Sequence, residues 1–159
     1  MGSYKLGIWH HTADFISDHD NKTYQGNQGI YFIANQSLVR EHNNHEQGFG
    51  FFLQLGTAPK DFNTVKYYVG GGLHYHGLLP KRDNDDIGLA VGHASLCNII
   101  KKRNPLESLT NETVLELTYN AVISPHFSIQ PDLQYVINPG GSIILNDAVV
   151  GIIRMKIEF

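Results

Sequence analysis

The sequence lacks three features that would place it in a common class of protein. No apolar run approaches the roughly twenty residues that a membrane-spanning helix needs, which excludes helical spanning but leaves spanning by β-strands open. The single cysteine, Cys97, excludes an intrachain disulfide. Charged side chains make up only 17% of the 159 residues, less than the roughly one quarter usual in soluble domains. This composition leans away from a cytosolic protein and suits a single domain over residues 1–159.

The sequence also lacks a basic surface and an export signal. The formal net charge of -3 offers little attraction for phosphate groups, so we do not expect a nucleic-acid partner. Met1 is followed directly by a strand-like stretch rather than by a charged and apolar signal peptide. Because an exported protein needs such a signal, we expect that it has been removed or lost.

What the sequence does have is an alternation of polar and apolar residues, clearest in its last third. Residues 112–124, 127–138 and 148–159 each alternate with period two, which is typical of strands with two different faces. In the first of these segments, the apolar set is Leu115, Leu117, Tyr119, Ala121 and Ile123. The last segment ends on an aromatic residue, Phe159, inside the strand pattern itself.

Two architectures fit this alternation, and they differ in which face is wet. In a soluble sandwich or small barrel the apolar face points inward and the charged face meets bulk water. In an outer-membrane barrel the apolar face meets lipid and the polar face lines the lumen. The alternation alone does not separate the two.

The rest of the chain repeats the pattern less regularly and brings the expected number of strands to about eight. Upstream strands are predicted in 3–12, 29–40, 48–56, 65–79 and 87–95. Polar residues without periodicity predict a long loop over 13–28. One end of the strands then carries the connections 13–28, 57–63, 96–111 and 139–147, and the other carries 41–48, 80–86 and 124–126. This arrangement suits a membrane barrel with both termini on the periplasmic side and, if the barrel closes, with its first and last strands adjacent.

The last two strands allow a prediction of register. Pairing them across the 139–147 connection places Asp132 opposite Arg154 and Gln130 opposite Lys156, and an oppositely charged pair favours a register by about 0.2 to 1 kcal/mol. Pro131 removes a backbone donor from its strand, which predicts a bulge at 130–132.

Residue types used in catalysis and metal binding are present, but their spacing predicts no such site. Among nine histidines, His74 and His76 share a strand face, yet no carboxylate or cysteine completes a metal site with recognisable spacing. Ser95 and Ser128 lie in strands without a nucleophile elbow. We therefore predict that the chain is not an enzyme and carries no catalytic residue, cofactor or metal.

One long segment resembles a known family. ETVLELTYNAVISPHFSIQPDLQYVINPGG, residues 112–141, is similar to the hallmark region of the carbohydrate-selective porins of Gram-negative outer membranes. The most specific part is QPDLQY followed by NPGG. The pieces YKLGIWHHTADF, GNQGIYFIANQSLVRE and GFGFFLQLGTAPKDFN are similar in the same order, so the resemblance covers nearly the whole chain.

The resemblance implies an antiparallel transmembrane β-barrel in the outer membrane, surrounded by lipid. It implies a trimer-forming channel in which sugars and other small solutes diffuse without covalent chemistry. Family barrels have roughly sixteen strands, so the about eight strands of this chain are equivalent to their C-terminal half, and a barrel of that smaller size is filled by its own side chains. The residues leave one alternative open, a small barrel that binds a ligand or modifies lipids without channel activity.

The side chains predicted to face the lumen are candidates for contact with solutes, because sugar hydroxyls need donors, acceptors and aromatic faces at a wet wall. They are Lys66, Tyr68, His74, His76, Glu116, Asn120, Gln130, Asp132, Gln134, Arg154 and Lys156. The final residue, Phe159, resembles the terminal aromatic residue by which outer-membrane proteins are recognised for assembly.

Overall fold

The fold is one antiparallel sheet of eight strands in the order of the sequence. The computed structural model describes residues 2–17, 20–40, 47–97 and 110–159. The strands are β1 (Gly2–Ile16), β2 (Thr23–Arg40), β3 (Gly48–Thr57), β4 (Val65–His76), β5 (Asp86–Leu96), β6 (Asn111–Ser124), β7 (Phe127–Ile137) and β8 (Ala148–Ile157). The predicted all-β class, antiparallel pairing and strand number are confirmed.

The sheet is open in the part of the chain that the structure describes. Its order runs from β1 to β8, so these two strands form its edges. In a closed barrel they would be neighbours, and here they are not paired with each other. The helical structure in the same ranges is a short 3-10 turn at Pro139–Gly141. No helix in those ranges has the length and apolar character that crossing a membrane requires.

The two faces of the sheet differ sharply in chemistry. The polar face carries Lys5, Gln54, His74, Glu116 and Arg154, and the apolar face carries Leu6, Leu55, Leu73, Leu117 and Ile153. On the apolar face, Leu6 is 72% exposed and Ile153 is 68% exposed. Among the described residues, the hydrophobic residues that are buried are only Ala34 and Cys97. In the part of the chain that the structure describes, the sheet therefore has no apolar core of its own, whereas a soluble sandwich buries one face of each sheet.

The β1–β2 hairpin corrects one prediction. The loop expected over 13–28 is wrong, because β1 continues to Ile16, β2 begins at Thr23, and only residues 17–22 connect them. The alternation is hidden by a register shift between His11 and Asp14 and by Gly26, whose φ of 89° lies in the left-handed region. A bulge of this kind puts consecutive side chains out of phase, so a period-two pattern cannot detect the strand.

The strand ends form two rims. The terminal rim holds both chain ends, with Gly2 opposite Gln36 and Ile157 opposite Phe127, and also the connections 77–85 and 125–126. The far rim holds the connections 17–22, 58–64 and 138–147. The predicted connections 41–48 and 96–111 fall largely outside the described residues. Both termini thus lie at one rim, as predicted.

Part of the far rim folds over β1 and β2. The Phe62 ring lies 6.0 Å from that of Phe15 and 5.7 Å from that of Tyr24, measured between ring centres. The side-chain amides of Asn63 and Asn27 donate to each other at 3.0 and 3.1 Å. Because these bonds satisfy the amide of the buried Asn27, the 58–64 connection is held against the strands.

The register of the last hairpin differs from the prediction by two residues. Asp132 lies opposite Ile152, Gln130 lies opposite Arg154, and Ser128 lies opposite Lys156. The 3-10 turn at Pro139–Gly141 begins after a left-handed Asn138. The geometry of this connection, and not the attraction between Asp132 and Arg154, sets the register.

The bulge predicted at 130–132 is also wrong. Pairing with β8 is continuous, with Pro131 opposite Ile153. On the other side, the pairs with β6 pass from Thr118–Asp132 to Ala121–Ile129 without a shift in register. The missing proline donor is therefore accommodated by a local gap in the ladder toward β6, and the side chains on either side keep their alternation.

Asp85 fastens the 77–85 connection to β6. Its buried carboxylate accepts hydrogen bonds from the Tyr119 hydroxyl, from the Val122 N–H at 2.9 Å, and from Arg82 Nε at 2.6 Å. The Asp85 backbone carbonyl accepts from the Gly77 N–H at 2.8 Å. Burial opposes ionisation of this carboxyl, but the three donors outweigh that effect and hold the pKa of Asp85 below its usual value.

We expect Asp85→Asn to destabilise the sheet by about 1 to 3 kcal/mol, because it leaves donors without a charged acceptor. Because the pKa of Asp85 is lowered in the folded state, the ionised carboxylate contributes its full share of the free energy of unfolding above about pH 4. That contribution is lost as the pH falls through the folded-state pKa. The difference between the two proteins in thermal unfolding, followed by circular dichroism in detergent, should therefore shrink below pH 4. Asp83→Asn, at an exposed position in the same connection, is the control. Equal stability of all three proteins at pH 7 would contradict this role.

Candidate functional site

Charged and amide side chains gather on the polar face of β6, β7 and β8. Gln134 Nε2 donates to Glu116 Oε2 at 3.0 Å, and Gln130 Nε2 donates to Thr118 Oγ1 at 2.8 Å. Arg154 Nη1 lies 3.3 Å from Asp132 Oδ2. We call Glu116, Asp132 and Arg154, with the amides of Gln130 and Gln134, the charged cluster.

Asp132 is the buried member of this cluster. Its side chain is 0% exposed, whereas that of Arg154 is 51% exposed. Neither carboxylate oxygen has a partner with hydrogen-bond geometry in the described residues, so the contact with Arg154 is an ion pair that joins diagonal positions of the two strands. Glu116 is in the same cluster, where its negative charge repels that of Asp132 and attracts that of Arg154. Removing a carboxylate from water is costly, and the nearby guanidinium is the group that offsets this cost.

A polar groove continues from the charged cluster to the terminal rim. It encloses about 620 Å³ between the ends of β6, β7 and β8. The predicted candidates that line it are Asn120, Gln130, Arg154 and Lys156. Lys156 Nζ also lies 2.6 Å from Glu158 Oε1 at the exposed edge of the groove. Amides, a guanidinium and an ammonium on one wall provide the donors and acceptors that hydroxylated solutes bind.

A smaller cavity of about 340 Å³ lies on the polar face on the other side of Glu116. Tyr68 and Glu116 line it, together with Gln54 and Glu112. The cavity and the groove have no predicted solute-contact residue in common. The charged cluster links them, because its Glu116 lines the cavity and its Arg154 lines the groove.

The remaining predicted residues are placed separately. His74 lies against Gly50 of the neighbouring strand. His76 Nδ1 lies 2.8 Å from Asp86 Oδ1 near the terminal rim. Lys66 is at the opposite end of the same strand, with its Nζ 5.8 Å from the centre of the Tyr67 ring. These three side chains do not join the charged cluster.

The described residues contain no group of three or more His, Cys, Asp or Glu side chains that could hold a metal ion. Among the residues that the structure describes, His76 pairs with Asp86, and His74 lies on Gly50. The described side chains of the polar face offer hydrogen-bond donors and acceptors and paired charges.

Three aromatic side chains on the polar face are not predicted from the sequence. Trp9, Tyr31 and Phe52 each lie over a glycine of a neighbouring strand, namely Gly29, Gly7 and Gly72. Each of these pairs is directly opposite in the register. Opposed aromatic and glycine positions are a detectable signal only once the register is known, because the partners are far apart in the sequence.

Comparisons with known proteins give a consistent result. The chain is 27% identical over 187 residues to Porin B of Pseudomonas aeruginosa, with 99% of this chain and 41% of that protein covered. It is 24% identical over 178 residues to the putative porin QuiX of Acinetobacter baylyi, with 99% and 40% covered. The high-pH structure of Pseudomonas putida OprB superposes with a TM-score of 0.92 at 24% identity, over 99% of this chain and 44% of that one.

The chain thus spans about two fifths of the length of these relatives. The structural likeness shows that the eight strands are arranged as in part of a porin barrel. A sequence model of the carbohydrate-selective porins, the OprB family, matches residues 1–159. Because that match extends over the whole chain, the chain belongs to the carbohydrate-selective porin, OprB family.

Proposed function

We propose that this chain forms part of the wall of an outer-membrane channel through which carbohydrates and other small solutes diffuse passively. The observation that carries the proposal is the contrast between the two faces of one open sheet. Exposed aliphatic side chains cover one face, and charged, amide and aromatic side chains cover the other. A sheet placed between lipid and water needs this division. No step of the proposed activity makes or breaks a covalent bond.

The orientation follows from the rims. We place the terminal rim in the periplasm, because both chain ends and the tight turn at 125–126 lie there. Short turns on the periplasmic side and longer loops outside are typical of such barrels. The apolar face is then in contact with outer-membrane lipid.

The open edges define what the channel still requires. Unpaired strand edges are not tolerated in the hydrocarbon region of a bilayer, so β1 and β8 must pair with further strands. About sixteen strands enclose an aqueous channel, whereas about eight leave room only for side chains. Residues 1–159 therefore act as one unit, about half of a channel wall, within a larger assembly such as a homo-oligomer.

Solute contact is assigned to the polar face. The amide and charged side chains of the groove and of the charged cluster offer hydrogen bonds to sugar hydroxyls: Asn120, Gln130, Asp132, Gln134, Glu116, Arg154 and Lys156. Tyr68, His74, His76 and Lys66 extend the contact surface across β4. The half-exposed Arg154 is the residue best placed to meet a passing solute, because its guanidinium lines the groove while it is paired with Asp132.

The test of the channel proposal is conductance in a planar lipid bilayer. We expect discrete conductance steps from the folded chain of residues 1–159, together with sugar-driven swelling of liposomes that contain it. Folding is checked by detergent-dependent solubility and heat-modifiable migration. Silence from correctly folded protein would defeat the proposal for this chain, although membership of the family would stand.

The ion pair in the wall gives a second prediction. Arg154→Ala leaves Asp132 buried without its cation, and we expect a loss of about 3 kcal/mol in stability. The double variant Asp132→Asn with Arg154→Gln should recover most of that loss, because residue 132 then carries no charge that needs a cation. Lys156→Ala removes a cation from an exposed pair and should cost at most about 0.5 kcal/mol. Thermal unfolding in detergent measures all three, and a double variant as unstable as Arg154→Ala would contradict the explanation.

The final residue gives a third prediction. Phe159 lies beyond the end of β8, and its side chain is fully exposed. We expect its deletion to reduce the fraction of protein that reaches the heat-modifiable form in cells, while the unfolding temperature of the assembled fraction stays unchanged. Phe159→Tyr keeps a terminal aromatic ring and should assemble like the wild type. Normal assembly after the deletion would remove the role assigned to Phe159.

A further inference from the structure

Whereas the charged cluster on β6 to β8 consists of charged and amide side chains, the polar face of β1 to β5 carries mainly aromatic rings and glycines. Aromatic rings there lie on glycines, in the pairs Trp9 on Gly29, Tyr31 on Gly7, Phe52 on Gly72, Tyr68 on Gly70 and His74 on Gly50. A Cβ added at any of these glycines would overlap the ring. Because the backbone supports one side of each ring, the other side is turned toward the space above the polar face.

Gly56 lies on the same face but differs from these glycines. A Cβ added there would meet no atom within 4 Å, so no ring covers this glycine. Gly56 lies directly opposite Tyr31 on one side and Tyr68 on the other. We call this bare strip of backbone with its two flanking tyrosines the Gly56 cleft.

The two tyrosines lean away from the cleft. Tyr31 covers Gly7 on the β1 side, and Tyr68 covers Gly70 and approaches Gly92 on the β5 side. Two strand spacings separate the backbones of Tyr31 and Tyr68, about 10 Å. Tyr31 is 42% exposed and Tyr68 is 39% exposed, so both rings remain accessible. The cleft is thus an open gap between accessible aromatic rings on a polar wall.

We propose that the Gly56 cleft is a binding subsite for one ring of a neutral saccharide. This inference rests on the proposed function and names the place where the wall meets the sugar ring. The faces of a pyranose ring carry apolar C–H groups, which pack against aromatic faces, and its hydroxyls lie around the edge. The cleft is formed by phenol rings and backbone rather than by acidic or basic side chains, so it favours a neutral ligand over an ion.

Polar groups for the ring edge are close to the cleft. Gln54 is two residues before Gly56 on the same face, and its side chain lines a cavity together with Tyr68. The tyrosine hydroxyls add a donor and an acceptor each. Aromatic faces with a few polar groups at the edge form the usual composition of a small-molecule site. A cyclic sugar should therefore bind better than an acyclic polyol with the same kind of hydroxyl groups.

The decisive variant fills the cleft without disturbing the sheet. Gly56→Val adds a side chain where there is open space, and valine is favoured in strands. Gly151→Val is the matched control, because Gly151 also has nothing within 4 Å of an added Cβ but lies opposite Leu133 on the apolar face. Both variants should keep the circular dichroism spectrum and thermal stability of the wild type.

Binding is measured on the full chain folded in detergent, by saturation-transfer NMR with methyl α-glucopyranoside and with mannitol. The fluorescence of Trp9, the single tryptophan and two residues from Gly7 on the same face, is a second readout. We expect the wild type to prefer the cyclic sugar, Gly56→Val to bind it about tenfold more weakly, as expected for lost stacking, and Gly151→Val to bind it normally. Equal binding by Gly56→Val and the wild type, no preference for the ring, or no binding at all would overturn the subsite.

Failure of this inference is distinguishable from failure of the channel proposal. If the wild type binds the cyclic sugar, Gly56→Val does not bind it, and no conductance is seen in the bilayer, the subsite is supported and the channel proposal is wrong. If the chain conducts and swells liposomes while Gly56→Val binds the cyclic sugar as tightly as the wild type, the channel stands and the subsite falls.

Discussion

Backbone hydrogen bonds between neighbouring strands hold this sheet together, with no second layer packed across it in the described residues. Most soluble sheets gain stability by burying one face, and here that face remains open along every strand. An open apolar face of this kind is stable where the medium itself is apolar, because an apolar medium takes the place of a second layer and strengthens backbone hydrogen bonds by excluding water. The exposed aliphatic side chains and the unpaired edges at β1 and β8 both follow from this dependence on the surroundings.

Alternation was enough to predict much of this fold, and its failures have identifiable physical causes. Strands β6 to β8 are predictable because polar and apolar side chains alternate through most of their length, as at Glu116, Leu117 and Thr118. The hairpin of β1 and β2 was partly missed because the shift after His11 breaks the period. The predicted register of β7 and β8 differs from the observed one by two residues, because the left-handed Asn138 and the 3-10 turn after it set the alignment. Neither backbone feature has a signature in a polar/apolar pattern.

The candidate site was predictable to a similar degree. Successive residues of a strand point to opposite faces, so the alternation correctly predicts that Glu116, Gln134 and Arg154 share one face of the sheet. The pairing of Asp132 with Arg154 was anticipated but occurs diagonally rather than directly across the strands. The supports of the aromatic rings could not be anticipated, because Trp9 meets Gly29 and Phe52 meets Gly72 only through strand register. As a result the polar wall has two regions, an aromatic one on β1 to β5 and a charged one on β6 to β8.

The anchoring of the 77–85 connection also bears on the order in which the sheet is built. The partners of Asp85 on β6 are 34 and 37 residues further along the chain, at Tyr119 and Val122. The β4–β5 hairpin can form from local contacts, but its turn acquires these bonds only after β6 has been laid down beside β5. The turn therefore becomes fully hydrogen-bonded late, although the strands that it joins are near neighbours in sequence. Protection of the 77–85 connection from proteolysis or hydrogen exchange would therefore report the time at which β6 pairs with β5.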